Sequence, residues 1–155
     1  MSPHSPGLPR VHFDNLSEIE AFYWWHLSRV NWAEWIIRKW IPSTTSLDVV
    51  DFGCGTGGFL HALSQRFPFK SYLGVDISSQ AIDLARRYGP HYQLVQAGDY
   101  SPVKEKSLLL LMDTLEHIEG DQLFLNGVME PLQEGGKVLI AVPAMPSSLS
   151  RWDEA

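Results

Sequence analysis

Cysteine is almost absent. Cys54 is the only one in 155 residues, so no disulfide can form within the chain. A chain of this size without staples fits a reducing compartment, and a cytoplasmic location is expected. Positive charge is also scarce: 12 Lys and Arg stand against 18 Asp and Glu, a formal net charge of -6. With no basic field to gather phosphates or an anionic bilayer, neither nucleic acid nor membrane is an expected partner. Long apolar runs are missing too: Leu108 to Met112 is far too short to span a bilayer. The first ten residues carry no charged start, apolar stretch or small-residue cleavage site. The six histidines are scattered, none close to Cys54 or to another histidine in a ligand pair, so no metal site is expected. What remains, 45% hydrophobic and 19% charged, suits one globular domain with a sizeable core.

Prolines and a glycine among polar residues mark an irregular N-terminal tail over 1–16. From Ser17, which has capping-box spacing to Glu20, apolar residues recur at three- and four-residue steps: Ile19, Phe22, Tyr23, His26, Leu27, Val30 and Ile37. This spacing predicts an amphipathic helix over 17–41, stopped by Pro42. Beyond it, strands are predicted at 47–52, 71–76, 91–96, 107–113 and 137–142, with helices at 58–67, 80–88 and 121–132. Strands alternating with helices imply a mostly parallel, doubly wound α/β sheet. Ligands of such sheets lie outside the carboxyl ends of the strands.

Those ends carry the informative residues. Asp51-Phe-Gly53-Cys54-Gly55-Thr56-Gly57-Gly58 sits where the first strand turns into its helix, and glycines there let the backbone turn sharply and approach a ligand. Gly53, Gly55 and Gly58 also fit the dinucleotide pattern G-x-G-x-x-G, so the loop alone leaves the ligand open. Asp51 discriminates: a carboxylate there opposes a pyrophosphate and suits a ligand with an ammonium group. Asp76, closing Gly74-Val-Asp76-Ile77-Ser78, can accept from both hydroxyls of a ribose, or it can cap the next helix. Gly98-Asp99-Tyr100 follows the third strand, where an ordinary polar turn uses the same residues. After the fourth come Asp113-Thr114-Leu115-Glu116-His117-Ile118, among which His117 is a candidate general base and Glu116 with His117 can equally orient the helix that follows.

In these motifs the chain resembles the class I S-adenosylmethionine-dependent methyltransferases, over roughly residues 18–143 and with the motifs in family order. The resemblance implies a Rossmann-like fold with strand order 3-2-1-4-5 and S-adenosylmethionine as cofactor, left as S-adenosylhomocysteine (SAH) after transfer. By the same resemblance Asp51, Gly53, Cys54, Gly55, Thr56 and Gly57 hold the methionine end, Asp76 with Ile77 the ribose, and Gly98, Asp99 and Tyr100 the adenine. Asp113, Thr114 and Leu115 complete the cofactor crevice, with His117 towards a small-molecule acceptor. Trp25 and Arg29, on a helix that in similar proteins closes over the cofactor, are lid candidates, Arg29 being able to meet a carboxylate. The family core continues for a further helix and two strands, whereas 12 residues follow Pro143. The chain is therefore expected to be truncated, with 144–155 as the start of an acceptor-side loop, and to expose a sheet edge through which a homodimer can form. Two rivals stay open: a nicotinamide-dependent oxidoreductase, and a module of this fold that binds without turnover.

Overall fold

The computed structural model describes residues 24–143, so the tail 1–16, the Ser17–Glu20 capping box, the first part of the helix predicted from 17 and the 144–155 loop lie outside the described residues. Helix α1 (Trp24–Trp40) leads into β1 (Asp48–Phe52), α2 (Gly58–Ser64), β2 (Ser71–Asp76), α3 (Ser79–Ala85), β3 (Gln93–Gln96), β4 (Leu108–Met112), α4 (Asp121–Met129) and β5 (Lys137–Ala141). All four strand pairings are parallel, in the order β3-β2-β1-β4-β5. Strand class and order are thus as the resemblance implied, and β3 and β5 are the edges of this sheet.

Why β4 is unbroken leucine follows from its place. An interior parallel strand is covered on both faces and has no solvent side to mark with polar residues. Leu108 and Leu110 join Val49 in the core beneath α1 and α2, with Val30, Ala33, Ile37, Leu60 and Leu63. Leu109 and Leu111 join Val50 on the opposite face, with Val75, Val103, Phe124 and Val128. None of the four leucines exceeds 1% exposure, and each contributes about 2 to 3 kcal/mol on burial. The same alternation carries β1, whose Asp51 continues the Val49 side of the strand.

The inward face of α1 is narrower than the sequence periodicity predicts. Val30, Ala33 and Ile37 are buried, but Leu27 is 42% exposed. Towards its N-terminus the helix turns Trp25 and Arg29 inward instead, because both reach Asp113 beyond the end of β4. Other boundaries shift by a few residues. β3 begins at Gln93 rather than His91, since Tyr92 is drawn into the core and its hydroxyl meets His61 Nδ1 at 2.8 Å and Ser64 Oγ at 2.5 Å. The stretch predicted as helix to Tyr88 stops at Ala85 and tightens into a three-residue 3₁₀ turn before Gly89, where φ is +103°. Among the described residues no helix is long and apolar enough to cross a membrane.

Candidate functional site

Parallel pairing brings the carboxyl ends of the strands to one side of the sheet, and with them Asp51, Asp76, Asp99 and Asp113. Between the first two runs the glycine loop. Gly53, Gly55 and Gly57 all have φ between +52° and +83°, a region that L side chains rarely enter. A Cβ on Gly53 would lie 2.6 Å from Thr114 Oγ1, and one on Gly57 2.9 Å from Ala85 Cβ, so these two positions need glycine for packing as well. Gly55 differs: among the described residues nothing lies within 4 Å of where its Cβ would be. Its bare backbone faces open space, which is what close approach of a ligand needs.

The loop is held from beneath by Asp76. One carboxylate oxygen accepts from the Gly55 N–H at 2.9 Å and the other from the Ser78 N–H at 2.8 Å. Ser78 in turn caps α3 by accepting from Ala81 N–H at 3.2 Å. The cap of α3 is therefore Ser78 rather than Asp76; Asp76 instead positions the glycine loop, with lone pairs left over on its carboxylate. Burial raises its pKa, against the opposing effect of these backbone donors.

Asp51 is 2% exposed. Burial, and then the neighbouring charge of Asp76, push its pKa up to about 7. Among the described residues no basic side chain is paired with it. A buried carboxyl with no cation is an expensive arrangement unless something else brings the positive charge. Cys54 is buried beside it, its Sγ 2.9 Å from where a Cβ on Gly74 would stand, and its thiol pKa lies well above the usual range for the same reason, burial. Thr56 is buried in the loop as well.

The third strand end is more open. Gly98 and Asp99 are exposed, and one Asp99 oxygen accepts from both the N–H and the hydroxyl of Ser101 at 2.9 and 2.6 Å, which lowers its pKa. The Tyr100 ring turns the other way, against Phe52 and Phe124 at 6.2 and 5.7 Å between ring centres. Ile77, half exposed beside Asp76, leaves an apolar surface at the rim.

Past β4, Asp113 adopts φ +54°, unusual for a residue with a side chain. Its carboxylate explains how it is kept there. The Arg29 guanidinium pairs with one oxygen, the Trp25 indole N–H donates to the other at 3.2 Å, and Arg29 stacks 4.4 Å above the Trp25 ring. Arg29 is 9% exposed. The sequence reading placed these three residues around the crevice separately; the structure brings them together as a clasp between α1 and the end of β4. Thr114 braces the neighbouring ends, its hydroxyl within 3.2 Å of the Phe52 carbonyl and 3.3 Å of the Met112 carbonyl. Leu115 packs into the second core. His117 closes a 3₁₀ turn, its N–H donating to Thr114 O at 3.2 Å.

Glu116 of this segment is not marked as a site residue by the sequence. Both carboxylate oxygens of Glu116 are shut away from solvent and have no hydrogen-bond partner among the described residues. Burial raises its pKa, with the nearby Asp113 adding to the effect and His117 and Arg29 opposing it. The available sequence signal was only an acid two residues before Ile118, which a helix-orienting role explains equally well. Among the described residues no group of three or more His, Cys, Asp or Glu is gathered as for a metal ion.

Comparison with known proteins bears on this geometry. The methyltransferase domain family matches residues 50–138, more than half of the chain. Trans-aconitate 2-methyltransferase of Acidovorax sp. (strain JS42) is 30% identical over 97 residues, 61% of this chain and 38% of that protein. The tRNA (guanine-N(7)-)-methyltransferase of Schizosaccharomyces pombe is 30% identical over 100 residues, 61% of this chain and 37% of that protein. The chain thus spans about two fifths of the length of the curated relatives it matches. Among solved structures, the plantazolicin methyltransferase in complex with a pentazolic desmethylPZN analog and SAH superposes with a TM-score of 0.69 at 20% identity, over 94% of this chain and 60% of that one, and shares its fold. The matched region runs from β1 into β5 and contains the glycine loop, Asp51, Asp76, Asp99, Asp113 and Glu116, and on that match the chain belongs to the methyltransferase domain family.

Proposed function

We propose that this chain binds S-adenosylmethionine across the carboxyl ends of β1, β2 and β3 and serves methyl transfer to a small-molecule acceptor. The observation that carries the reading is a buried Asp51 without a basic partner among the described residues, close to an open backbone cradle at Gly55. A ligand whose methionine end has an ammonium group supplies the charge that Asp51 lacks, and a dinucleotide pyrophosphate does not. Asp76 then serves twice, fixing the Gly55 amide and accepting from ribose hydroxyls. The apolar flank of Ile77 covers one face of a nucleoside, with Gly98 and Asp99 at its far edge. When bound, the cofactor supplies a sulfonium methyl group for transfer to a nucleophile.

The chain's own work is positioning. Effective concentration and alignment account for as much as roughly 7 to 11 kcal/mol of a barrier in favourable reactions. Trp25 and Arg29 hold α1 over the end of β4, and so one wall of the acceptor side is fixed by Asp113. His117 is the candidate base where an acceptor must lose a proton. The relatives act on acceptors as different as trans-aconitate and tRNA, so likeness alone does not select the acceptor. Its negative charge favours a small molecule over RNA. The edge of β5, which no further strand covers among the described residues, is the surface we assign to a homodimer.

Isothermal titration with S-adenosylmethionine, SAH and NAD in parallel tests the cofactor. The expected outcome is micromolar binding of the first two and none of NAD. Binding of NAD alone would replace this reading by the oxidoreductase.

A further inference from the structure

Of the chain's six tryptophans, five lie in α1, and four of those, Trp24, Trp32, Trp35 and Trp40, are each at least 40% exposed. An indole is costly to leave in water, and none of these four joins the core that α1 covers with Val30, Ala33 and Ile37. At 3.6 residues per turn, Trp24, Trp32 and Trp35 fall within about 80° of the helix circumference, on the side away from those three residues, and span about 17 Å along the axis.

Charge along this line is one-sided. Lys39 Nζ lies 4.6 Å from the Trp35 ring centre and 5.2 Å from that of Trp40, and pairs with no carboxylate among the described residues. Arg38 and, from just past α2, Arg66 share a single acid, Glu34. Three cations thus stand with one carboxylate around the C-terminal half of α1, in a chain whose total charge is -6. Scarce Lys and Arg exclude a basic field over the whole molecule, but not a basic margin on one helix.

We propose that the outer face of α1 is a lipid-contacting surface, by which this chain rests on an anionic membrane interface. Indoles settle at the level of the headgroups, and Lys39 lays its stem along them with its ammonium in water. Anionic headgroups supply the negative charge that Glu34 alone does not provide. A convex helix with cations at one end offers neither the groove nor the continuous basic track on which single-stranded nucleic acid stacks. The contact lies on the bilayer and does not cross it, since no helix among the described residues is long and apolar enough to span.

Vesicle co-sedimentation of the full chain is the test, with phosphatidylcholine alone or mixed with phosphatidylglycerol. The variants are Trp32→Ser, Trp35→Ser, Lys39→Ala and, as a control for general stickiness, Leu123→Ser, whose leucine is exposed on α4. Wild type is expected to bind the mixed vesicles, to bind phosphatidylcholine about fivefold more weakly, and to weaken on the mixed vesicles as salt rises from about 0.1 to 1 M. Each tryptophan substitution, with circular dichroism unchanged, is expected to weaken partitioning roughly tenfold, and Lys39→Ala about fivefold. Leu123→Ser is expected to bind as wild type does. No binding of mixed vesicles, equal binding of both kinds, a Leu123→Ser effect as large as that of Trp32→Ser, or folded tryptophan variants that bind like wild type each overturns the proposal. Should a tryptophan variant misfold, Lys39→Ala decides, and unchanged partitioning there overturns it. Protection of these indoles from acrylamide quenching by a single-stranded oligonucleotide but not by vesicles would assign the face to nucleic acid instead.

Discussion

Affinity for S-adenosylmethionine is expected to fall as the pH drops through about 7, by about tenfold for each unit below it, because Asp51, the carboxyl we propose for the ammonium group, is then protonated. Asn at position 51 removes the dependence. Asp51→Asn is expected to bind roughly 10- to 100-fold more weakly than wild type at pH 8 and nearly independently of pH between about 6 and 8. The same group leaves a mark on stability. Unfolded, Asp51 ionises near its ordinary value of 3.8; folded, it keeps its proton up to about 7. Between those values the folded state binds more protons than the unfolded one. Stability from this residue is therefore full below the lower value, declines as pH rises through the window and levels off above 7, a loss of roughly 4 kcal/mol. Asp51→Asn escapes that loss, so its advantage in thermal unfolding over wild type should grow from pH 4 to pH 8. Cys54 lies beside Asp51, and the charge of Asp76 adds to burial in raising the Asp51 pKa. An advantage that does not change with pH would refute the assignment.

Asp76→Ala is the second large effect. It strips the acceptor from the Gly55 and Ser78 amides at once, so the open cradle loses its fixed shape, and it removes the carboxylate we propose for the ribose. Two hydrogen bonds to a charged group amount to about 3 to 5 kcal/mol, or roughly 200- to 5000-fold in cofactor affinity. Calorimetry on a variant whose circular dichroism matches wild type measures it. A folded Asp76→Ala protein with undiminished affinity would contradict both roles given to this residue.

The sheet was legible because its interior strands have no freedom of composition. Leu108 to Leu111 and Val49-Val50 are apolar on both faces, and only a covered strand tolerates that. Boundaries were less legible where side chains rather than backbone propensity decide them, as at Tyr92, whose hydroxyl is captured by two residues of α2. In the site, the glycine loop and the acids at strand ends were visible from position alone. That Asp76 bonds an amide 21 residues earlier was not, because the contact joins two loops whose distance only the parallel register sets. Arg29 and Asp113 were each named as candidates, yet nothing in a linear chain marks them as partners, and Glu116 went unselected because an isolated acid has no signature until its surroundings are known.

The central strand of this sheet also fixes the order in which the crevice can come into being. β1 pairs with β2 from Asp48 and Ser71, and with β4 from Val49 and Leu108, roughly two and a half times as much intervening chain. Closing the longer loop costs about 0.8 kcal/mol more in chain entropy, so one edge of β1 is engaged while the other still waits. In pulse-labelled hydrogen exchange, β1 amides pointing towards β2 should gain protection before those pointing towards β4. On this order Asp51 is expected to stay wet, and to ionise as an ordinary aspartate, until β4 docks beside β1; closing that loop is the event that raises its pKa.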